Sequence, residues 1–296
     1  MTNSCPMCLS KEVVIKYRGL TGQIFPENES LYQCTSVSKT KPQIISCNKC
    51  FHVFSDRSTW PNESANEYAH VSDPRYLDLE RAKNRTFKRA ADLTSELFDQ
   101  PKNLIEIGSY TGIFLAIMAQ RGWSAIGIEP SRWAAEISRK KNLEIVPLPF
   151  EEAISSQILS KADLVVSWDV LEHVKDPRFF ISTMSGLTKD GGYFVFSTLD
   201  RSNFFAKITG KHWPWIIPMH LHYFEKKSLI EIVSGYGFKF IKTSPHVHYA
   251  NLEYILRKLI PYNLGTMNLS FLRKFIIPVG FGDVRYFIFR KEKFNE

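Results

Sequence analysis

The chain has 296 residues, of which 44% are hydrophobic and 23% are charged, a composition typical of a globular protein with one or two domains. No uninterrupted apolar run approaches the roughly 18–20 residues that span a bilayer. The first residues, "MTNSCPMCLSKEVV", contain no apolar core of a secretory signal. These features argue against helical membrane spans and predict a cytoplasmic location.

The formal net charge of +8 is concentrated towards the C-terminal end. Residues 201–296 carry 15 Lys and Arg against 6 Asp and Glu, a net of +9, whereas residues 1–200 carry 23 against 24, a net of −1. A basic segment favours an anionic partner, such as a phosphorylated substrate, a membrane surface or nucleic acid. Lysines that serve only solubility explain the same numbers.

The cysteines lie in the first 50 residues, and four of them form two C-x2-C pairs separated by 38 residues. Each pair places two thiolates on one tight turn, and two such turns complete a tetrahedron, which is typical of a structural zinc site. The predicted zinc ligands are Cys5, Cys8, Cys47 and Cys50. Cys34 is then a spare thiol between the pairs. We expect a zinc-knuckle module over residues 1–60 and a linker over residues 61–75.

An amphipathic helix is predicted over residues 76–100, and strand and helix patterns then alternate, which indicates βαβ units and a parallel sheet. The predicted strands cover residues 104–107, 125–128, 144–146, 164–168, 193–197, 239–244 and 283–291. The predicted helices cover residues 112–121, 131–141, 150–159, 177–187 and 225–238. Together these elements predict a second domain over residues 76–296.

An insertion over residues 249–282 precedes the last predicted strand. Its segments "LEYILRKLI" and "FLRKFIIP" are apolar with interleaved basic residues, which predicts helices. Such helices would pack on the sheet or across a dimer interface, and peripheral contact with a membrane or a lipid-linked substrate is the alternative. We favour packing.

The stretch "NLIEIGSYTGIFLAI" is a strand, a glycine turn and a helix, an arrangement that holds nucleotide cofactors. Dinucleotide sites use G-x-G-x-x-G, in which the second glycine lets the backbone approach a pyrophosphate. Here only Gly108 and Gly112 are present, so that glycine is missing. S-adenosylmethionine carries no phosphate and needs no such approach. Glu129, 21 residues after Gly108, suits ribose hydroxyls in either cofactor class.

Five motifs occur in order: "IEIGSYTG", "GIEPS", "LPFEEA", "ADLVVSWDVLEHVKDP" and "GGYFVFST". In this register they resemble the class I S-adenosylmethionine-dependent methyltransferases over residues 76–240. The resemblance implies an α/β fold with a Rossmann-like, seven-stranded sheet whose last strand is antiparallel.

The same resemblance implies a set of cofactor-binding residues. Glu106 would stand near the ammonium group, Glu129 would hold the ribose, and the turn at Gly108 would cradle the methionine moiety. The full predicted set is Glu106, Gly108, Tyr110, Gly112, Glu129, Pro130, Phe150, Glu151 and Asp169. Tyr110 departs from the family, in which a small residue is commoner, so its ring either covers the cofactor or points outward.

The motif "WDVLEHV" offers a base for the acceptor's proton. It follows a predicted strand, so its side chains lie at the carboxyl edge of the sheet, where open α/β folds bind ligands. His173 titrates near neutral pH, and Glu172 either orients it or acts itself. In similar sugar and small-molecule methyltransferases this Glu-His pair lies beside the acceptor. The alternative is a structural hydrogen-bonding role for Glu172.

The segment "HWPWIIPMHLHYF", residues 212–224, is rich in histidine and aromatic residues. We expect a substrate-binding loop with His220, His222 and Tyr223 as further polar candidates, of which the last two are assigned to catalysis. A lid that packs on the sheet is the alternative. A metal site at His220 and His222 is disfavoured, because no carboxylate follows until Glu225.

The acceptor is inferred from the combination of the two predicted domains. An N-terminal four-cysteine module before this catalytic domain resembles sugar C-methyltransferases and related enzymes of surface-polysaccharide pathways. We expect a sugar nucleotide or glycan precursor, phosphorylated, as the small-molecule substrate of O- or C-methylation. RNA methylation is disfavoured, because "SWDVLEH" is not a base-methylation motif and the cysteine module is not strongly basic. The intact glycine turn argues against a non-catalytic scaffold.

Overall fold

The computed structural model describes residues 4–19, 41–60, 69–259 and 268–293. The strands in these residues are β1 Val13–Tyr17, β2 Ile44–Cys47, β3 Val53–Ser55, β4 Asn103–Ile107, β5 Ser124–Ile128, β6 Glu144–Val146, β7 Ala162–Trp168, β8 Thr188–Leu199, β9 His222–Tyr223, β10 Phe238–Pro245, β11 His248–Asn251, β12 Ile276–Val279 and β13 Val284–Lys291. The α-helices are α1 Glu80–Ser95, α2 Ile113–Gln120, α3 Arg132–Lys140, α4 Phe150–Ser155, α5 Pro177–Leu187, α6 Phe204–Thr209, α7 Lys226–Ser234 and α8 Leu252–Leu259.

A seven-stranded sheet in the order β10-β13-β8-β7-β4-β5-β6 forms the centre of the fold. The strands from β4 to β8 pair in parallel, whereas β13 is antiparallel to both β8 and β10. This is the predicted sheet with its antiparallel last strand, so the predicted fold class is confirmed. The strand β7, "ADLVVSW", is almost continuously apolar because helices cover both faces of the sheet.

The register of the parallel strands fixes where the functional loops meet. Ile107 at the end of β4 lies opposite Ile128 at the end of β5 and opposite Ser167 near the end of β7. The loops after these strands therefore share one edge of the sheet. In open α/β folds that edge is where ligands bind.

The helices that begin at this edge have N-terminal capping residues in the sequence. The Ser131 hydroxyl accepts a hydrogen bond from the Ala134 amide and caps α3. The Asp176 carboxylate caps α5 in the same way, and Pro177 occupies its first turn, where a missing N–H has no cost.

A second, four-stranded antiparallel sheet has the order β1-β2-β3-β9. Its last strand comes from the catalytic part of the chain, because Val53 pairs with Tyr223 and Phe54 pairs with His222. The sheet thus crosses the boundary expected at residue 60. In the region expected to be a linker, Val71 and Asp73 are buried, and residues 61–68 lie outside the described part.

The insertion is not the purely helical segment that the sequence predicts. The helix α8 is present, but residues 276–279 form β12, which pairs with β11 in a two-stranded antiparallel sheet. The small sheet packs on α1, since the Tyr249 amide donates to the Thr86 hydroxyl at 2.8 Å and the Asn251 amide group donates to the Asp78 carbonyl at 3.1 Å. The described residues of the insertion thus pack in part on α1, while Phe271, Phe275 and Phe281 are exposed, and the preference for packing over membrane contact stays a prediction. No helix in the described residues is long and apolar enough to cross a membrane.

Candidate functional site

The turn between β4 and α2 is shaped by two glycines with positive φ angles, +73° at Gly108 and +70° at Gly112. A Cβ added at Gly108 would lie 2.7 Å from the Val170 side chain, and one at Gly112 would lie 2.5 Å from Leu143. Only glycine fits both the backbone conformation and the space. The two glycines therefore let the turn pack closely against the segments that follow β7 and α3.

Two carboxyl groups are buried under the turn. Both Glu106 oxygens are enclosed in protein, and Oε2 makes no hydrogen bond. Burial, reinforced by Glu129, raises the pKa of Glu106 well above its ordinary value. Glu129 Oε1 accepts from the Ser131 amide and Oε2 from the Tyr110 amide, both at 2.8 Å. Burial nevertheless raises the pKa of Glu129 to about 7.

These two carboxyls fit the polar parts of S-adenosylmethionine. An unpaired, buried carboxyl oxygen suits a cationic amine, and Glu129 at the end of β5 suits vicinal hydroxyls. The two carboxyls, near the ends of β4 and β5, are therefore the candidates in this turn to anchor the amine and the ribose hydroxyls of that cofactor.

The other predicted cofactor residues lie around this turn with different degrees of burial. The Tyr110 ring packs edge-on against Tyr76 at 4.6 Å between centroids, so it points into the packing between the loop and the start of the α1 region. Phe150 is half-buried against Phe180, whereas Glu151 is exposed in the first turn of α4. Pro130 is half-buried directly after Glu129.

Asp169 follows β7 with a φ of +54°, which turns its carboxylate back towards β8. Asp169 Oδ1 accepts a hydrogen bond from the Ser197 hydroxyl at 2.6 Å. Burial opposes ionisation, but the nearby His248 and His246, together with Ser197, lower the pKa of Asp169 to about 2. This side chain is thus held as a carboxylate at the carboxyl edge of the sheet.

The predicted Glu172–His173 pair also lies at this edge. Glu172 is buried and accepts from the Thr198 hydroxyl at 2.9 Å, and burial together with the Asp169 carboxylate raises its pKa to about 8. His173 Nδ1 donates to the Met219 carbonyl at 2.8 Å, which leaves the lone pair of a neutral imidazole on Nε2. Burial lowers the pKa of His173, so the neutral form is favoured.

The loop of residues 212–224 places His220 beside the Glu172–His173 pair. The side chains of two other predicted residues of this loop, His222 and Tyr223, make their contacts elsewhere. The His220 ring packs edge-on against His173 at 4.8 Å. His222, in contrast, has both ring nitrogens engaged: Nδ1 faces Nε2 of His52 at 3.1 Å and Nε2 donates to the Val174 carbonyl at 2.9 Å. Burial lowers the pKa of His222 to about 3.

Tyr223 is buried in a cluster with Ile44 and Val53, and burial raises its pKa well above the ordinary value. The geometry of His222 and Tyr223 therefore argues against the predicted catalytic roles. Both residues join the four-stranded sheet to the catalytic part of the chain instead.

The structure brings two further histidines to the site that sequence reasoning missed. His246 and His248 flank the start of β11, and their rings stack at 4.1 Å between centroids. His248 Nε2 lies 3.7 Å from Asp169 Oδ2, and His246 Nδ1 lies 3.9 Å from Asp169 Oδ1. The H-x-H spacing in "SPHVHYA" was the available signal, since alternate residues of an extended segment share one face.

The four predicted cysteine ligands come together at the edge of the four-stranded sheet. Their Sγ atoms all lie within 4.8 Å of one another, with Cys5 to Cys50 and Cys8 to Cys47 each at 3.5 Å. Tetrahedral zinc with bonds of about 2.3 Å separates its sulfur ligands by roughly 3.8 Å. The donor set therefore fits zinc. Cys34 lies outside the described residues.

Several cations of the basic C-terminal segment are engaged inside the fold. Arg273 pairs with both Asp78 and Glu253, and Arg201 pairs with Glu225. The cations that influence the site are instead Lys83 and Arg89 of α1. The charge of Lys83 acts on Asp169, His246 and His248, and that of Arg89 acts on His246.

Comparison with known proteins agrees with this geometry. A family model described as a methyltransferase domain matches residues 80–243, more than half of the chain, and the chain belongs to this family. The fold, the glycine turn and the family together define a class I S-adenosylmethionine-dependent methyltransferase.

Similar curated proteins are named as ubiquinone biosynthesis O-methyltransferases. The one from Acinetobacter baylyi is 31% identical over 135 residues, which cover 42% of this chain and 56% of the relative. The one from Chromobacterium violaceum is 31% identical over 148 residues, covering 48% of this chain and 58% of the relative. The chain thus spans less than two thirds of the length of these relatives.

A solved structure of an S-adenosylmethionine-dependent methyltransferase from Archaeoglobus fulgidus has the same fold. It superposes with a TM-score of 0.50 at 19% identity and covers 74% of this chain and all of that chain. An O-methyltransferase family protein from Burkholderia thailandensis also has a TM-score of 0.50, at 14% identity, covering 73% of this chain and 59% of that chain.

Proposed function

We propose that this methyltransferase acts on a hydroxyl group of a small-molecule acceptor. The observation that carries the proposal is the Glu172–His173 pair beside Asp169, at the same sheet edge as the glycine turn. Such a pair supplies what methyl transfer to oxygen needs besides alignment, namely a base for the hydroxyl proton.

S-adenosylmethionine supplies a methyl group on a sulfonium that departs as a neutral thioether. The chain's own residues then have three tasks. Glu106 and Glu129 anchor the cofactor, the loop over residues 212–224 excludes water from the acceptor, and Nε2 of His173 takes the hydroxyl proton as the new O–CH3 bond forms. The Met219 carbonyl stabilises the imidazolium that results, because it already accepts from Nδ1.

The proposed acceptor is a sugar nucleotide or glycan precursor. Its support is the resemblance of the cysteine module to that of sugar methyltransferases, together with Lys83 near the acceptor side, where a substrate phosphate could pair with it. A phenolic hydroxyl is the second candidate, because the similar curated proteins are named as ubiquinone biosynthesis O-methyltransferases.

We further propose that the four cysteines bind structural zinc. The support is the Sγ cluster and the two N–H groups, of Lys49 and Cys50, that point at Cys47 Sγ at 3.4 and 3.5 Å. Such N–H groups stabilise metal-bound thiolates. Since thiolates would occupy all four coordination positions of the zinc, the site is closed to substrate.

The acceptor is identified by transfer of labelled methyl into extracted pools of nucleotide sugars, lipid-linked glycans, quinols and RNA. Label in a sugar pool supports the proposal, and label confined to quinols supports the second candidate. Label in RNA alone, or in none of the pools, contradicts both.

The role of His173 is tested with His173→Gln, which keeps a hydrogen-bonding side chain but removes the base. We expect kcat to fall by roughly 10²–10⁴-fold with little change in cofactor affinity. The matched control is His70→Gln, since His70 is exposed and outside the site. Near-normal turnover of the His173 variant would contradict the assignment.

A further inference from the structure

A cluster of three side chains consists of Asp169, His246 and His248. Neither packing nor hydrogen bonding explains why its two imidazoles are buried together. His246 is 1% exposed, and neither of its ring nitrogens has a hydrogen-bond partner. The same holds for Nε2 of His248. Buried imidazole nitrogens without partners destabilise the folded protein. Something else is expected to satisfy them.

The atoms of this cluster have the arrangement of metal ligands. One nitrogen from each histidine and one Asp169 oxygen lie within 4.8 Å of one another. Ligands at about 2.1 Å from one ion are separated by roughly 3.0 Å when adjacent in an octahedron and 3.4 Å in a tetrahedron. The observed distances are slightly wider, 3.7 Å from His248 Nε2 to Asp169 Oδ2 and 3.9 Å from His246 Nδ1 to Asp169 Oδ1, and both are too long for direct hydrogen bonds. A small rotation of the side chains brings both nitrogens and one carboxylate oxygen onto a single ion.

The surroundings hold these side chains in place. Asp169 is fixed through Oδ1 by the Ser197 hydroxyl, which leaves Oδ2 directed at His248. The His246 ring stacks on Tyr286 at 4.2 Å between centroids. Fixed ligand orientations of this kind are typical of metal sites. The charges of Lys83 and Arg89 oppose a cation here, and the Asp169 carboxylate, whose pKa is about 2, offsets them in part.

We propose that Asp169, His246 and His248 bind a divalent first-row transition-metal ion. Two imidazoles and one carboxylate select such ions and leave coordination positions open. The inference rests on the proposed function, because the open positions face the acceptor side of the site. The ion binds the acceptor oxygen there, lowers the pKa of its hydroxyl and directs it towards the methyl group.

The position of the cluster supports this use. Trp215 lies between the two groups of histidines, with its ring 6.4 Å from His248 and 6.0 Å from His220. His220 in turn packs on His173. The metal ligands and the His173–His220 pair therefore contact the same indole, and the charge of Asp169 reaches His173.

The test uses the full chain and Mn²⁺ as the probe, since Mn²⁺ prefers oxygen and nitrogen ligands and leaves a four-thiolate site to zinc. Loss of the electron paramagnetic resonance signal of free Mn²⁺ gives the number of bound ions and their affinity. We expect one ion per chain and at least about tenfold weaker binding in His248→Gln. Removing a residue that only hydrogen-bonds to a metal ligand already lowers metal affinity about tenfold or more, and removing a ligand itself should lower it at least as much. The control His70→Gln should bind as the unaltered protein does.

His248 is chosen because its side chain is 18% exposed and tolerates substitution better than the fully enclosed His246. Circular dichroism establishes that the variant is folded. No bound Mn²⁺, or binding that His248→Gln leaves unchanged, overturns the proposal. Binding lost in Glu172→Gln but kept in His248→Gln also overturns it, because the ion would then belong to the Glu172, His173 and His220 group. The titration needs no methyl transfer, so a metal site without activity would contradict only the proposed function.

Discussion

Glu106 is a buried residue whose Oε2 has no hydrogen-bond partner in the protein alone. Its carboxyl is buried without a partner for Oε2, and burial favours the protonated form. A cationic ammonium placed beside it favours the carboxylate instead. Binding of the cofactor should therefore release a proton from this group, and the affinity should depend on pH.

We predict that S-adenosylmethionine affinity rises with pH above the ordinary titration range of a glutamate, by up to roughly tenfold per pH unit while the Glu106 carboxyl is still protonated. Glu106→Gln keeps the shape but cannot become anionic, so binding at the upper pH should weaken by roughly 10–100-fold and its pH dependence should be shallower. Isothermal titration calorimetry in two buffers measures both the affinity and the released proton.

Glu136→Gln is the control for this variant, because Glu136 is an exposed acidic residue on α3 whose partner is Lys140. It should leave the affinity unchanged at every pH. An unchanged affinity in Glu106→Gln would show that the ammonium group does not lie beside this carboxyl. Glu129 also titrates in this range, so some pH dependence remains in the variant.

At the scale of elements, the short strand β9 connects the cysteine module to the proposed base. It pairs with β3, and the amides of Leu221 and His222 donate to the Glu172 carbonyl at 2.8 and 3.2 Å. The side chain of His222 meets His52 in the same place. A module that loses its metal should therefore disturb Glu172 and His173 as well as its own sheet.

We predict that Cys47→Ser loses zinc, melts roughly 5–12 °C lower and has a reduced kcat. Zinc content by mass spectrometry, thermal denaturation and steady-state kinetics measure the three effects. Cys34→Ser makes the same chemical change outside the two C-x2-C pairs and should retain one zinc and full activity. The prediction fails if Cys47→Ser keeps its zinc, or if it loses zinc while kcat stays normal.

The elements differ in how far the sequence predicts them. The strands of the central sheet and α5 agree with prediction because they are apolar segments that alternate with turns and capping residues. The strand β9 has two residues and no periodicity, so its pairing with β3 is visible only in the fold. Residues 276–279 were expected to be helical, but adjacent β-branched Ile276 and Ile277 before Pro278 suit an edge strand better.

Some residues of the candidate site are likewise predictable from the sequence, and others are visible only in the fold. Glu172, His173 and the glycine turn lie directly after strands, so the sheet edge brings them together as the sequence predicts. His246 and His248 reach Asp169 only because β10 and β13 pair at the far side of the sheet. His222 matched a catalytic pattern by residue type, but both its nitrogens are used inside the protein.

For the whole molecule, the buried titratable groups predict how stability depends on pH. Three buried carboxyls have raised pKa values: Glu106, Glu129 at about 7 and Glu172 at about 8. In the folded protein these groups hold protons that the unfolded chain releases above about pH 4.5. Their contribution therefore lowers the free energy of unfolding as the pH rises towards 8. The buried histidines have lowered pKa values and act oppositely, but only below about pH 6.5, where the unfolded chain binds the proton.

We therefore predict that the free energy of unfolding of the protein without cofactor falls between about pH 6.5 and 8.5, by roughly 1–3 kcal/mol. Glu172 should account for a larger share of this decrease than Glu129 above pH 7, because its pKa is the higher of the two. Urea denaturation at both ends of this range should show a smaller decrease for Glu172→Gln, which cannot ionise, than for Glu136→Gln. If stability instead rose with pH over this range, or if Glu172→Gln kept the full decrease, Glu172 would not be a protonated carboxyl in the folded protein, and its part in proton removal would need to be assigned to His173 alone.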